Sequence, residues 1–190
     1  YLGTESTVTA EFQVTTTTQL RDAFASASPN GCLIRMTEEW YDVGTTPLEA
    51  KNHVTVEGCG QHESDSTGIE APTTLHWSGS GSPINVGSPS MTDFVYGARF
   101  RRFGIKATGG AGHSGIRFHN NPITERFAAR CLVDEVSVQG FPQGAGFWCD
   151  FGVRLHFRRT NPFLNSYGYR VEGGTTYNFD TVKGRVNNIG

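Results

Sequence analysis

No stretch of this 190-residue chain approaches the roughly 20 consecutive apolar residues that a membrane-spanning helix requires, and only 36% of its residues are hydrophobic. Charged residues are sparse at 18%, and a formal net charge of −2 gives no electrostatic case for nucleic acid or an anionic membrane as partner. Lysine is scarce, three against thirteen arginines, a ratio read first as coding bias. The four cysteines (Cys32, Cys59, Cys131, Cys149) include no CxxC pair and no Cys/His cluster at zinc spacing, so neither a metal nor a cofactor is expected. If oxidised, their simplest pairing is Cys32–Cys59 with Cys131–Cys149; as free thiols they read as small buried residues. There is no Gly-rich phosphate loop before a helix, no G-x-S-x-G elbow and no H-E-x-x-H. The chain opens at Tyr1 without Met and without a visible signal peptide, which reads as a processed or excised product.

What is abundant is glycine, 24 residues beside long Thr, Ser and Asn runs, a mixture that favours many short strands joined by turns. The length suits one domain with a real core. The division expected is an N-terminal extension over 1–16 and one domain over 17–190. One helix is expected: Thr18 could cap TQLRDAFASAS, whose Leu20, Ala23, Phe24 and Ala27 fall on one face, and Pro29-Asn30-Gly31 would stop it. Beyond GCLIRM the sequence becomes a series of short alternating segments ended by Gly, Asn or Pro, among them HVTVEG, TTLHWSG, PINVG, SGIRFHN, EVSVQG and GFWCDFG.

These segments repeat. The pattern Gly-apolar-x-apolar-x begins at Gly115, Gly146 and Gly168, at separations of 31 and 22 residues. A second set runs through Phe103, Val136, Phe157 and Phe179 at 33, 21 and 22, the middle value falling to 19 if Phe157 pairs with Val138. Both sets agree on a unit of about 22 residues carrying one insertion, at NNPITERFAA (Asn120 to Ala129). Such a unit cannot bury its own apolar face, so inward residues must stack on the same position in the next coil. A sandwich would also use short alternating strands, but it predicts no constant offset between two strand sets. Leucine-rich repeats need a Leu/Asn consensus that is absent here. The fold class expected is therefore all-β, a right-handed parallel β-helix (solenoid) with one short N-terminal capping helix.

The stretch TQLRDAFASASPNGCLIRMTEEWYDVGTTPLEAKNHVTVEGCG carries a helix, a Gly turn, a strand, a Tyr-x-apolar segment running to Leu48, and an N-V-T-φ-x-G-x-G turn interrupted by His53. In this order the elements resemble the N-terminal part of the right-handed parallel β-helix (pectate-lyase-like) superfamily, of the phage tailspike and tail-fibre type. The resemblance spans about residues 17–190 and is one of fold pattern. It implies an elongated appendage, usually a homotrimer with other virion or appendage subunits as neighbours, that works outside the cell or on a virion. Of the NTD, DD, GHG and RIK motifs of polygalacturonase-like hydrolases only GHS (Gly112 to Ser114) gives an echo, and the calcium-binding acid cluster of pectate lyases is not evident. The final NNIG falls in mid-pattern, so a longer parent protein is expected.

In GFWCDFG the residues Phe147, Cys149 and Phe151 share one parity, and Trp148 and Asp150 the other. Aligning the three Gly-anchored strands places Arg117, Trp148 and Arg170 in one outward column, and His119, Asp150 and Glu172 in a second. The first column is the candidate substrate-binding surface, since sugars stack on exposed Trp and hydrogen-bond to Arg and carboxylates. The second holds the candidate catalytic residues Asp150, Glu172 and His119, because carboxylates about 5 Å apart match a retaining glycosidase. Repulsion between them would raise one pKa, and the neighbouring Arg would oppose that. The plainer alternative is a surface salt-bridge ladder with Trp148 covered by the inserted loop.

Lesser candidates are a polar column of Lys106, Gln139 and Arg158, an outward His76 without an evident partner beside inward Leu75 and Trp77, and the loop TEEWYD, read as cap packing. Asp134-Glu135 splits across faces or sits at a turn, and HESDS (His62 to Ser66) lacks EF-hand spacing. The function expected is a tailspike or tail-fibre domain that binds host-surface polysaccharide. The alternatives are a secreted polysaccharide lyase or glycoside hydrolase, and a purely structural module. Whether the protein is an enzyme is left open.

Overall fold

The computed structural model describes residues 10–28, 30–60, 72–109 and 112–182. His62–Ser66 and the terminal NNIG lie outside them. Along the chain the elements are β1 (Glu11–Val14), α1 (Thr17–Ser26), β2 (Cys32–Met36), β3 (Trp40–Gly44), β4 (Leu48–Ala50), β5 (Val54–Glu57), β6 (Thr74–Trp77) and β7 (Ile84–Val86). There follow β8 (Val95–Tyr96), β9 (Arg99–Ala107), β10 (Ser114–Phe118), β11 (Asn120–Asn121), β12 (Arg126–Ala129) and β13 (Leu132–Gln139). The last are β14 (Ala145–Cys149), β15 (Gly152–Arg158), β16 (Asn161–Phe163), β17 (Tyr167–Val171) and β18 (Gly174–Asp180). The fold is mostly β with one described helix.

The strands pair in parallel with strands one return of the chain away; among the described residues only β11 and β12 pair antiparallel. In one ladder Cys32 lies beside Val54, Thr55 beside Arg99, Arg99 beside Leu132, Leu132 beside His156 and His156 beside Asn178, returns of 22, 44, 33, 24 and 22 residues. A second ladder runs through β3, β6, the later half of β9, the later half of β13, and β16. A third lines up Leu48, Ile84, Ile116, Phe147 and Tyr169 from β4, β7, β10, β14 and β17. The inward residues of all three form one core, with Val56, Phe100, Ile105, Ile116, Phe147 and Leu155 fully buried. Aromatic side chains recur from one return to the next: Phe157 stacks on Phe179 and Phe147 on Tyr169, at ring separations of 5.3 and 5.4 Å.

Local sequence explains the ends of these elements. The helix is capped by Thr16, not Thr18: its side chain accepts from Gln19 N, and Leu20, Ala23 and Phe24 turn inward as their spacing predicts. β1 already pairs with β2 from Glu11, so the sheet begins inside the stretch expected to be an extension. Leu75 and Trp77 are buried as expected, and in TEEWYD the buried Tyr41 donates its hydroxyl to Val14 O while accepting from Thr37 N and Glu38 N. All four cysteines are free, so the Cys32–Cys59 and Cys131–Cys149 bridges are not formed.

The second strand set differs from its expected register. Phe103 does sit beside Val136, but Phe157 lies on Val133 instead of Val136 or Val138. The reason is a one-residue corner: Arg102, Glu135, Arg159 and Thr181 all adopt left-handed φ between 51° and 61° and follow one another in register. Arg102, Glu135 and Arg159 each bend the chain from the first ladder into the second, so Val133 and Val136 belong to different ladders. Arg158 thereby leaves the column of Lys106 and Gln139, whose next neighbour is Phe163, and faces Asp134.

Candidate functional site

Gly115, Gly146 and Gly168 lie side by side as the second residues of β10, β14 and β17, and at the first two nothing larger fits. A Cβ on Gly115 would lie 2.4 Å from Val138 Cγ1, and one on Gly146 2.7 Å from Pro162 Cβ. Two residues on, Arg117, Trp148 and Arg170 are direct neighbours on adjacent strands. Asn85 and Glu49 extend the same column on β7 and β4. His119, Asp150 and Glu172 stand just past the strand ends, each held by its backbone N–H: His119 donates to Val86 O, Asp150 to Phe118 O and Glu172 to Cys149 O.

Trp148 is half-buried between two cations. The Arg117 and Arg170 guanidinium carbons lie over its ring at 4.4 and 4.0 Å from the centroid, so both faces are taken. This corrects the expectation of an open stacking platform. The ring's Nε1 is buried without an acceptor. The inserted hairpin makes no ring contact with Trp148; its Phe127 packs on Phe94 and Phe151, just past the C-terminal end of β14.

The acids are tightly paired. Arg117 donates to Asp150 Oδ1 through Nε and Nη2, both at 3.1 Å. His119 Nδ1 sits 3.4 Å from Asp150 Oδ2, a long and poorly aligned contact. His119 Nε2 meets Asn85 Oδ1 at 3.1 Å, and Asn85 Nδ2 donates to Glu49 Oε1 at 2.8 Å. One polar network thus runs from Glu49 through Asn85, His119 and Asp150 to Arg117. Burial pushes the Asp150 carboxyl upward, but the close approach of His119 and the hydrogen bonds and charge of Arg117 outweigh it and hold the group below the usual range. Glu172 is paired to Arg170 at 2.7 Å. Asp150 therefore stays ionised and offers hydrogen-bond acceptance, not a proton to donate. No three ligating side chains converge as a metal site among the described residues.

Sequence reasoning missed Asn85 and Glu49. In PINVG the position equivalent to Gly115 is Pro83, so the Gly-anchored pattern did not reach that strand; the alternation of Ile84, Asn85 and Val86 was the available signal.

No family model and no curated protein matches the chain. Similar solved structures include a proposed glycosyl hydrolase from Parabacteroides merdae ATCC 43184, 11% identical over 92% of this chain and 97% of that one, with a TM-score of 0.50. Another is the A-module of the mannuronan C-5 epimerase AlgE4 from Azotobacter vinelandii, 12% identical over 93% of this chain and 57% of that one, with a TM-score of 0.54. The likeness is one of fold.

Proposed function

We propose that this chain is a right-handed parallel β-helix domain that holds a polysaccharide along the column Glu49, Asn85, Arg117, Trp148 and Arg170. The observation that carries the reading is the register of that column: five polar or amphipathic side chains on five adjacent strands, spaced about 4.8 Å apart. The three parallel ladders support the helical architecture, and the near-universal right-handed crossover supports its hand. Both structural neighbours are named for carbohydrate chemistry, which favours a carbohydrate-active protein over a virion appendage. Neither a tailspike role nor a homotrimer has support of its own. A polysaccharide ligand would place the working surface outside the cell.

Because Arg117 faces Asp150 and Arg170 faces Glu172, each arginine of the site is neutralised by an acid, and the site suits hydroxyls more than acid groups. Trp148 acts as a spacer: it holds two guanidinium forks parallel, and sugar hydroxyls meet their outer edges. Arg170, about half exposed, is the most direct contact. Arg170→Ala and Trp148→Ala should each weaken retention on a neutral-glycan array or in affinity electrophoresis by about tenfold, the equivalent of about 1.4 kcal/mol, with the circular dichroism spectrum unchanged. Wild-type retention by both folded variants would remove the reading.

A second reading, turnover as a lyase or hydrolase, rests on His119 being clamped between Asp150 and Asn85. Assays for reducing ends and for unsaturated uronates test it. Activity that survives both Asp150→Asn and Glu172→Gln would rule out these residues as its agents.

A further inference from the structure

Most described arginines face a partner: Arg35, Arg101, Arg102, Arg117, Arg158, Arg159 and Arg170 each lie within 4.0 Å of a carboxylate. Arg99, Arg130 and Arg154 are exposed and make neither an ion pair nor a side-chain hydrogen bond with any described residue. They are gathered in one place. Arg130 and Arg154 are register neighbours at a second column of left-handed corners, His53, Gly97, Arg130, Arg154 and Thr176, on the opposite edge of the first ladder from Glu135. Arg99 follows Gly97 by two residues, so three successive returns of the chain contribute one free guanidinium each. His156 lies two ladder places from Arg99, exposed, with only Asn178 at 3.2 Å.

Two local penalties coincide here. A left-handed backbone costs an L residue with a long side chain more than Gly or Asn, and the corner has Gly in one return. Like charges on neighbouring strands repel, and no acid neutralises this pair. Strain kept without local compensation is a pointer to a ligand that supplies it. We propose that the Arg130–Arg154 corner, with Arg99 and His156 beside it, binds the oxyanion groups of an acidic polysaccharide. Guanidinium forks recognise carboxylate and sulfate alike. Arg130 and Arg154 stand on adjacent strands about 4.8 Å apart, with Arg99 two residues off their register on the next strand, a cluster suited to a linear polymer with repeated acid groups. A single-stranded nucleic acid would need successive aromatic platforms. Beside this corner stands one exposed ring, Tyr96, enough for one sugar. The site is separate from the column of Trp148, whose arginines are neutralised, and does not depend on it.

The test uses the doubly substituted chain Arg130→Asn/Arg154→Asn, since Asn tolerates the left-handed corner. The wild type should be retained on dextran sulfate or polyglucuronate at low salt and released as salt rises. The variant should lose at least tenfold in affinity for the acidic polymers, with an equal or higher Tm and unchanged retention on neutral glycan. Arg130→Lys/Arg154→Lys should restore part of the loss, because the charge returns without the fork. Preference between the two polymers tells sulfate from carboxylate. Unchanged binding by the Asn variant, or no binding of either polymer by the wild type, overturns the proposal. Equal, equally Arg-dependent binding of oligo(dT) overturns the choice of polysaccharide. Arg170→Ala should leave acidic-polymer retention intact, so failure of the column and failure of the corner read out separately.

Discussion

Asp134 illustrates how much one carboxylate can be asked to neutralise. Its side chain is 1% exposed; Arg158 donates to it through Nε and Nη2, Arg159 does so at 2.9 to 3.1 Å, and Arg101 stands 4.0 Å away. It belongs to a column of alternating sign, Arg35, Glu57, Arg101, Asp134, Arg158 and Asp180. Burial raises its pKa, but Arg158 and Arg159 more than cancel that and leave it depressed. A depressed carboxyl contributes stability that is complete above the unfolded value near 4 and is lost as pH falls through the folded value. Asp134→Asn should therefore cost about 2 kcal/mol in urea denaturation at pH 7, and less as the acid limb is approached, because the wild type loses the same interaction there. Equal destabilisation at pH 3 and pH 7 would contradict this account. Thiol chemistry gives a second residue-scale expectation. Burial raises the Cys32 and Cys149 thiols, and that of Cys131 to about 12, while Cys59 is exposed. A thiol reagent at pH 8 should label Cys59 quickly and the other three only on unfolding.

At the scale of elements, the Gly-anchored register was legible because its cause is local and repeated. The close approach of Val138 and Pro162 forbids a Cβ at Gly115 and Gly146, so the same residue type marks those two returns. Gly146→Ala should cost about 1–3 kcal/mol by overpacking against Pro162, read as a lower urea midpoint with an unchanged slope. An unchanged midpoint would mean the strand can shift to make room. The insertion at Asn120 to Ala129 was legible too, as extra length between matched strands; it forms β11 and β12. The register of Phe157 was not. A one-residue corner at Glu135 leaves no composition signal when the corner residue is Arg, Glu or Thr instead of Gly.

Over the whole molecule the charges separate by face. A net charge of −2 hides a column at Trp148 whose arginines are neutralised and an unneutralised arginine corner at Arg130 and Arg154. The lopsided arginine count, set aside in the sequence as coding bias, thus has a structural side: a planar fork can span to an acid on the next strand at Asp134, Glu135 and Asp150.

The sequence alone determined which residues of β10, β14 and β17 share a column in the third ladder. Alternation and glycine spacing are properties of the chain itself, and a parallel ladder copies them from one return to the next. Only the tertiary structure decided what each column can do. It set guanidinium groups on both faces of Trp148, gave Asp150 to Arg117 and His119, and left Arg130 and Arg154 without an acid. Those outcomes depend on which side chains from distant returns reach one another across a few ångströms, and no local pattern encodes that.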